Sequence, residues 1–386
     1  MQSFLWRIYV FRFCNAFTLI FPIYVAMFVD IGLSPTQIGF CLTAWSVTTF
    51  LLQALAGAAA DRWSRRYVLA FGQLAFAGCF TLWWVAPNFA GILAGLILWG
   101  IKSAATNGVY EALVFDTLKA NERAEDYLQV LGRSRAFDSL GSLASAVGAA
   151  LLGGMGYEPA IVGSIAAAVV GIVAAMALPG APVALTVASI SFFDRLRMGL
   201  GEVRRRPAVL AIVVFAACVW TMGPGLQEFW PVYGRGVGLS LSAISVIVGC
   251  QFVVEALGNL AAHRLQAVQT HWFYAAYLVF GLMLAAAAAL YTAPGMALLI
   301  VYSGGLRLID AVFEGRLQAL IPSETRATIG AVKGLGVQMG NTCLYALIAG
   351  VAHAASYRAA FLCIGLIVFA MGLAWLAGSA IRARSN

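Results

Sequence analysis

Residues 38–66 read IGFCLTAWSVTTFLLQALAGAAADRWSRR. From Ile38 to Ala60 there is no charged side chain, and then Asp61, Arg62, Arg65 and Arg66 arrive within six positions. As an α-helix, such an apolar run rises roughly 34 Å, more than the ~30 Å of a bilayer's hydrocarbon. The reading is a membrane-crossing helix that ends in a basic loop.

Runs of this kind recur along the whole chain. They predict spans over 4–29, 38–60, 67–86, 90–118, 127–153, 158–178, 208–232, 240–262, 271–292, 295–320, 328–352 and 358–380. The bulk composition agrees, since 62% of the 386 residues are apolar and only 10% are charged. A soluble protein sits nearer half apolar and about a quarter charged, so a soluble enzyme of one or two domains is excluded. The N-terminal run to Val29 is too long for a signal-peptide core and is expected to be retained.

The formal charge of +8 is a topology signal. If the N-terminus is cytoplasmic, nearly all loop arginines, among them Arg62, Arg65, Arg66, Arg123, Arg195, Arg197, Arg204 to Arg206, Arg264, Arg326, Arg382 and Arg384, fall on one side. Only Arg235 and Arg358 fall on the other. Basic loops face the cytoplasm, so both termini are expected there, in the cytoplasmic (inner) membrane, and nucleic-acid binding is excluded. The seven cysteines stand singly and the three histidines lie at span ends. Neither has metal or redox spacing, so no cofactor or metal is expected.

The longest polar stretch, residues 179–207, carries FFDRLRMGLGEVRRRP at 192–207. It separates an N-terminal six-helix bundle over 1–178 from a C-terminal one over 208–386. Its middle sets Phe192, Phe193, Leu196 and Leu200 against Asp194, Arg195 and Arg197. It is either an interfacial amphipathic helix or a solvated linker. A shift of 203 residues lays Glu314 on Glu111, Asp310 on Asn107, Arg326 on Arg123 and Asn341 on Asp138. Parallel repeats of this kind build transporters with a site between two halves. The expected fold is therefore an all-α polytopic membrane protein with twelve transmembrane helices in two six-helix bundles.

The loop GAAADRWSRR at 57–66 resembles the signature loop of the major facilitator superfamily. Gly57, Asp61, Arg62, Arg65 and Arg66 fit it, while Ala59 and Ser64 depart from it. The resemblance implies a major facilitator fold and a cytoplasmic gate of these residues, completed by Asp116 at the end of the fourth span. A small residue there allows close helix packing, and a carboxylate among arginines makes a charge network. The second half's GNLAAHRL at 258–265 keeps Gly258 and Arg264 but has no Asp. The family's antiporters often carry Gly-Pro in the fifth span, where Ala149 and Ala150 stand here; Gly153 and Gly154 remain. GAVKGLGVQMG at 330–340 reads as a close helix interface.

Ionisable groups within spans cost roughly 2.5 to 3.5 kcal/mol each to insert, so each is a candidate. Arg307, Asp310 and Glu314 share one helix face at i, i+3 and i+7. Asp310 is either a protonatable carboxylate stabilised by Arg307 or half of a permanent bridge; Glu255 and Glu314 are further proton-coupling candidates. Substrate-cavity candidates are Asn15, Lys102, Asn107, Glu111, Arg307, Gln251, Gln227, Glu228 and Trp220. Ser103, Asn107 and Glu111 form a stripe in the fourth span, and Gln251, Glu255 and Asn259 one in the eighth. Arg133 and Arg135 are gate residues able to pair with Glu111. Pro224 and Pro231 should kink the seventh span.

These readings converge on a secondary transporter working by alternating access, with a small-molecule substrate and protons as partners, the lipid bilayer as solvent, and a monomeric state. No GxxxxGK[ST] phosphate loop is present, so ATP is not the direct driver. The deep charges balance, which suits an amphipathic or zwitterionic molecule. Short chains with this loop resemble drug and metabolite exporters, which favours efflux. Import of an organic anion or siderophore-like chelate is the alternative, and a membrane-embedded transferase a remote one.

Overall fold

The structure, a computed structural model, describes residues 2–180, 192–321 and 325–385. Among these there are helices and turns and no strand. Eight helices precede the linker: α1 (Gln2–Ala16), α2 (Tyr24–Asp30), α3 (Pro35–Arg62), α4 (Arg65–Val85), α5 (Phe89–Thr106), α6 (Val109–Ala120), α7 (Tyr127–Leu152) and α8 (Glu158–Met176). Eight follow: α9 (Phe192–Arg205), α10 (Pro207–Trp220), α11 (Trp230–Gly236), α12 (Leu241–Ala261), α13 (Thr270–Leu290), α14 (Gly295–Leu320), α15 (Arg326–Ala354) and α16 (Tyr357–Ser385). Eleven helical segments of the described chain are long and apolar enough to cross a membrane. The chain is a multi-pass membrane protein.

Two compact units emerge. The first draws on Met1–Leu33, Phe40–Ile190 and Leu241–Gly249, and the second on Ser34–Gly39, Ser191–Ser240 and Cys250–Asn386. In the first unit α4 packs on α5 and α8, and α1 on α7. A buried aromatic cluster ties these together: Tyr24 stacks on Trp83 at 5.7 Å between centroids, and Phe76 meets Phe80 at 4.5 Å and Trp99 at 4.9 Å.

The predicted first span, 4–29, is not one helix. It breaks over residues 17–23, between α1 and α2. A break inside a bilayer leaves amide donors that only protein can satisfy. Here Thr18 N donates to Ser145 Oγ at 2.6 Å on α7, and Ile20 N donates to Ser164 Oγ at 3.0 Å on α8. Each such hydrogen bond is worth about 1 kcal/mol net, and leaving the donor buried and unmet costs more.

The predicted fourth span also breaks, at Asn107–Gly108, where Gly108 has φ +80°. That is left-handed backbone, which a residue without Cβ adopts without strain. The stripe Ser103, Asn107, Glu111 therefore does not run on one continuous helix. Glu111 Oε2 instead accepts Gly108 N at 2.9 Å, holding the first turn of α6. The expected match between spans four and ten is thereby imperfect, because α14 is unbroken where α5 and α6 part.

In the second unit α13 and α16 form the tightest pair. A Cβ at Gly281 would stand 2.4 Å from the Phe369 nitrogen, and one at Gly365 would stand 2.5 Å from that of Ala285, so backbone meets backbone. Helix α10 packs on α14 and α15, and α9 lies against α15. The seventh span widens into a π-turn over Thr221–Gly225 around Pro224, where Tyr302 Oη donates to the Met222 carbonyl at 2.6 Å. The span breaks again at Glu228–Phe229, and Pro231 follows in the first turn of α11, a position where its missing N–H is not needed.

Three smaller expectations change. Helix α7 ends at Leu152, so Gly153 and Gly154 lie in a 3-10 turn. In 330–340, a Cβ on Gly336 would meet Ala217 and one on Gly340 would meet Thr221, but Gly330 and Gly334 face open space. On α9, Val203 joins a core with Val209, Val213, Leu317, Ile321, Ile329 and Val332, Leu196 packs against it, and Leu200 stays exposed. Residues 181–191 of the linker and the side chains of Phe192, Phe193 and Arg195 lie outside the described set.

Candidate functional site

The second unit gathers five ionisable side chains from three helices. Helix α14 supplies Arg307, Asp310 and Glu314 on one face, α12 supplies Glu255, and α15 supplies Lys333. Lys333 Nζ lies 3.4 Å from Asp310 Oδ1 and 2.7 Å from Glu314 Oε2. Arg307 is held more loosely, 3.8 Å from Asp310 Oδ2 and 3.9 Å from Glu255 Oε2. Its Nε is buried without a hydrogen-bond partner, and its guanidinium stacks 4.9 Å above the Trp220 ring. Two amides complete the network: Gln251 Nε2 donates to Glu255 Oε1 at 2.9 Å, and Gln318 Nε2 donates to Glu314 Oε1 at 2.8 Å.

The charge arithmetic is specific. Glu255, Asp310 and Glu314 against Arg307 and Lys333 leave one negative charge when all are ionised. A single proton, or one cationic group, makes the cluster neutral. Buried charges persist only when paired and hydrogen-bonded, and Asp310 is 8% exposed. Its two cations approach from different helices, so a change at Asp310 is felt by both α14 and α15.

The first unit holds the opposite balance. Arg12 Nη2 pairs with Asp138 Oδ2 at 3.0 Å, and its guanidinium lies 4.9 Å over Tyr110. Tyr110 Oη in turn donates to Ser134 Oγ at 2.7 Å. Lys102 is 9% exposed, yet among the described residues no carboxylate lies within 4 Å of its ammonium. It donates to the Asn15 carbonyl at 3.3 Å and sits 4.6 Å over the Phe76 ring. Asn15 Oδ1 accepts from Gln73 Nε2 at 2.8 Å, and Gln73 Oε1 is buried with no partner. Here one cation is left over.

Of the residues singled out from sequence, Asp310, Glu255, Glu314, Arg307, Gln251 and Trp220 come together in one cluster. Lys102 and Asn15 meet in the first unit. Asn107 is exposed at the end of α5, and Glu111 caps α6. Gln227 and Glu228 lie half-buried beyond the π-turn. At the proposed gate, Arg65 pairs with Asp116 and donates to the Ala112 carbonyl at 2.7 Å. Arg66 turns instead to Tyr67 Oη at 2.9 Å, and Arg62 is exposed. Gly57 has open space where close packing was expected. The Asp61 side chain lies outside the described set. Arg133 and Arg135 are exposed and make no ion pair among the described residues, so the expected bridge to Glu111 does not form.

Two participants, Lys333 and Arg12, count among the deep charges of the sequence but are not assigned to a site there. Lys333 lies in a glycine-rich stretch that reads first as helix packing, although it is one of only three lysines in the chain. That scarcity was the available signal. Arg12 lies 126 positions from Asp138, and no local spacing rule links them. Among the described residues no group of three or more His, Cys, Asp or Glu side chains is placed to hold a metal ion.

Comparison with known proteins adds the fold's relatives. The family model of the Major Facilitator Superfamily matches residues 8–309. The crystal structure of nucleoside transporter NupG superposes with a TM-score of 0.75 at 14% identity, covering 98% of this chain and 99% of that one. The crystal structure of a D-xylose-proton symporter superposes with a TM-score of 0.70 at 14% identity, covering 96% and 97%. At such identities the likeness concerns the fold alone. No curated protein matches in sequence.

Proposed function

The chain belongs to the major facilitator superfamily, and from that premise we propose that it is a proton-coupled secondary transporter of a small amphipathic or zwitterionic molecule. It works by alternating access in the cytoplasmic membrane, with both termini in the cytoplasm. The observation that carries this reading is the second unit's cluster of three carboxylates and two cations, one proton short of neutral. Asp310 is the coupling carboxylate. With Asp310 ionised, Lys333 is drawn to it and ties α15 to α14, while Arg307 pairs with it along α14. With Asp310 protonated, Lys333 retains Glu314, and Arg307 keeps Glu255 at its Nε while its Nη1 is released towards a ligand. A proton at Asp310 thereby removes one of the two ion pairs that join α15 to α14 and loosens Arg307, and a ligand sensitive to that change is coupled to the proton.

Export is the favoured direction, since the 57–66 loop resembles that of drug and metabolite exporters. Uptake is a second reading, favoured by Lys102, a buried cation that suits an anionic group on an incoming molecule. A thermal-stability panel identifies the ligand, because binding to the native state raises apparent stability by mass action. With that ligand in vesicles and an imposed pH gradient, proton flux opposite to substrate flux marks export and parallel flux marks uptake. Asp310→Asn should abolish gradient-driven accumulation and leave substrate exchange measurable. Undiminished uphill accumulation by that variant would remove Asp310 from the role.

A further inference from the structure

The second unit carries a groove unrelated to the charge cluster. It has a volume of about 530 Å³ and runs between α10 and α15, reaching Ile367 of α16 and Leu200 of α9. Along α10 and into the π-turn after it the lining steps from Leu210 to Met222, and on α15 from Val332 to Leu347, each at helical three- and four-residue spacing. The helices touch at Ala217 and Gly336 and again at Thr221 and Gly340; the small side chains at these points leave the groove beside the contact. Its outer wall is open, with Met339 61% and Val214 42% exposed. From Val332 to Leu347 the groove follows fifteen residues, roughly 22 Å of helix. One leaflet's share of the hydrocarbon is about 15 Å, so an extended acyl chain fits from headgroup depth to the midplane.

The mouth of the groove is charged. Leu200 lines it, and on α9 Arg197 and Arg204 stand three residues before and four after, on the same helix face. Both arginines are exposed and make no ion pair among the described residues. Glu202 is engaged by Arg206 at 2.9 Å. The nearest other carboxylate on the helix is Asp194, exposed one turn before Arg197. Helix α9 is not free to turn these groups elsewhere, because Gly199 seats it against α15, where a Cβ would stand 2.4 Å from the Thr328 carbonyl, and Val203 is buried in the core beneath.

We propose that this groove and the α9 arginines form a binding site for one anionic phospholipid, its acyl chain between α10 and α15 and its phosphate between Arg197 and Arg204. Neither half explains the other's position on its own terms. Topology accounts for basic residues on this side of the chain, but not for two exposed arginines, without an ion pair among the described residues, that flank Leu200 at the end of an apolar slot. The charge selects the headgroup, and the slot selects a molecule that carries a chain.

The test is native mass spectrometry of the purified protein with equimolar phosphatidylglycerol and phosphatidylcholine. The expected result is one phosphatidylglycerol retained with about thirtyfold preference, the scale set by two basic groups at a membrane surface. Arg197→Gln with Arg204→Gln should bring the preference close to one while phosphatidylcholine retention is unchanged. Met339→Trp fills the slot from an exposed position, so folding is not at stake, and should lower retention of both lipids. Equal retention of the two lipids by the unaltered protein would overturn the proposal. So would full retention by Met339→Trp, or displacement of phosphatidylglycerol by millimolar inorganic phosphate, since either means that the headgroup alone is held. Thermal unfolding of each variant without added lipid separates a lost site from a lost fold.

Discussion

Lys333→Gln is the perturbation that most directly probes the charge cluster. It removes the cation 3.4 Å from Asp310 and 2.7 Å from Glu314 and takes the cluster from one excess negative charge to two. At an effective dielectric near 20, Coulomb's law gives roughly 5 kcal/mol for a pair at the longer distance. Desolvation of both groups offsets part of it, and removing one partner of a buried pair typically costs about 3–5 kcal/mol. The shorter contact contributes less, because the Glu314 side chain is 42% exposed and solvent-screened pairs are worth about 0–1 kcal/mol. Asp310, at 11% side-chain exposure, dominates. The expected loss for Lys333→Gln is therefore about 3–4 kcal/mol, read by equilibrium unfolding in mixed micelles. Asp310→Asn in the same background returns the cluster to one excess negative charge. The double variant should be less destabilised than the two single losses predict, with a coupling of about 2 kcal/mol, well outside the ~0.5 kcal/mol of independent sites. Additive losses would refute the reasoning, as would a Lys333→Gln cost under about 1 kcal/mol.

Lys102→Met should leave stability unchanged or raise it, because the ammonium is buried with one backbone acceptor and no carboxylate within 4 Å, and should raise the KM of an anionic substrate about tenfold; a stability loss above about 2 kcal/mol would make Lys102 a structural group. Gly108→Ala forces a Cβ into left-handed backbone and should cost about 1–2 kcal/mol, whereas Glu111→Gln, which keeps an acceptor for Gly108 N, should cost less than Glu111→Ala in the same unfolding assay.

Much of the fold was legible because a bilayer imposes it. Apolar runs such as 38–60 and the one-sided placement of arginines follow from a solvent that cannot hydrate backbone or charge. The same physics marked Arg307, Asp310 and Glu314, whose spacing puts them on one helix face wherever that helix lies. The breaks were harder to see. Residues 17–23 read as span because, Thr18 and Pro22 apart, their side chains are apolar, and what permits the break is a pair of hydroxyls, Ser145 and Ser164, far along the chain. Gly108 offered a hint, but a lone glycine within a span is as often a packing residue.

The site divides along the same line. Sequence alone determined that this is a polytopic helical membrane protein of transporter pattern, and which buried charges α14 carries, because composition and helical periodicity are local properties. Tertiary structure decided that Lys333 and not only Arg307 partners Asp310, that Arg12 holds Asp138, that Glu111 serves a helix cap, and that Val203 of α9 enters the core. Each of these depends on which distant helix comes within a few ångströms, and Coulombic and hydrogen-bond energies fall too steeply with distance for residue spacing along one chain to foretell it.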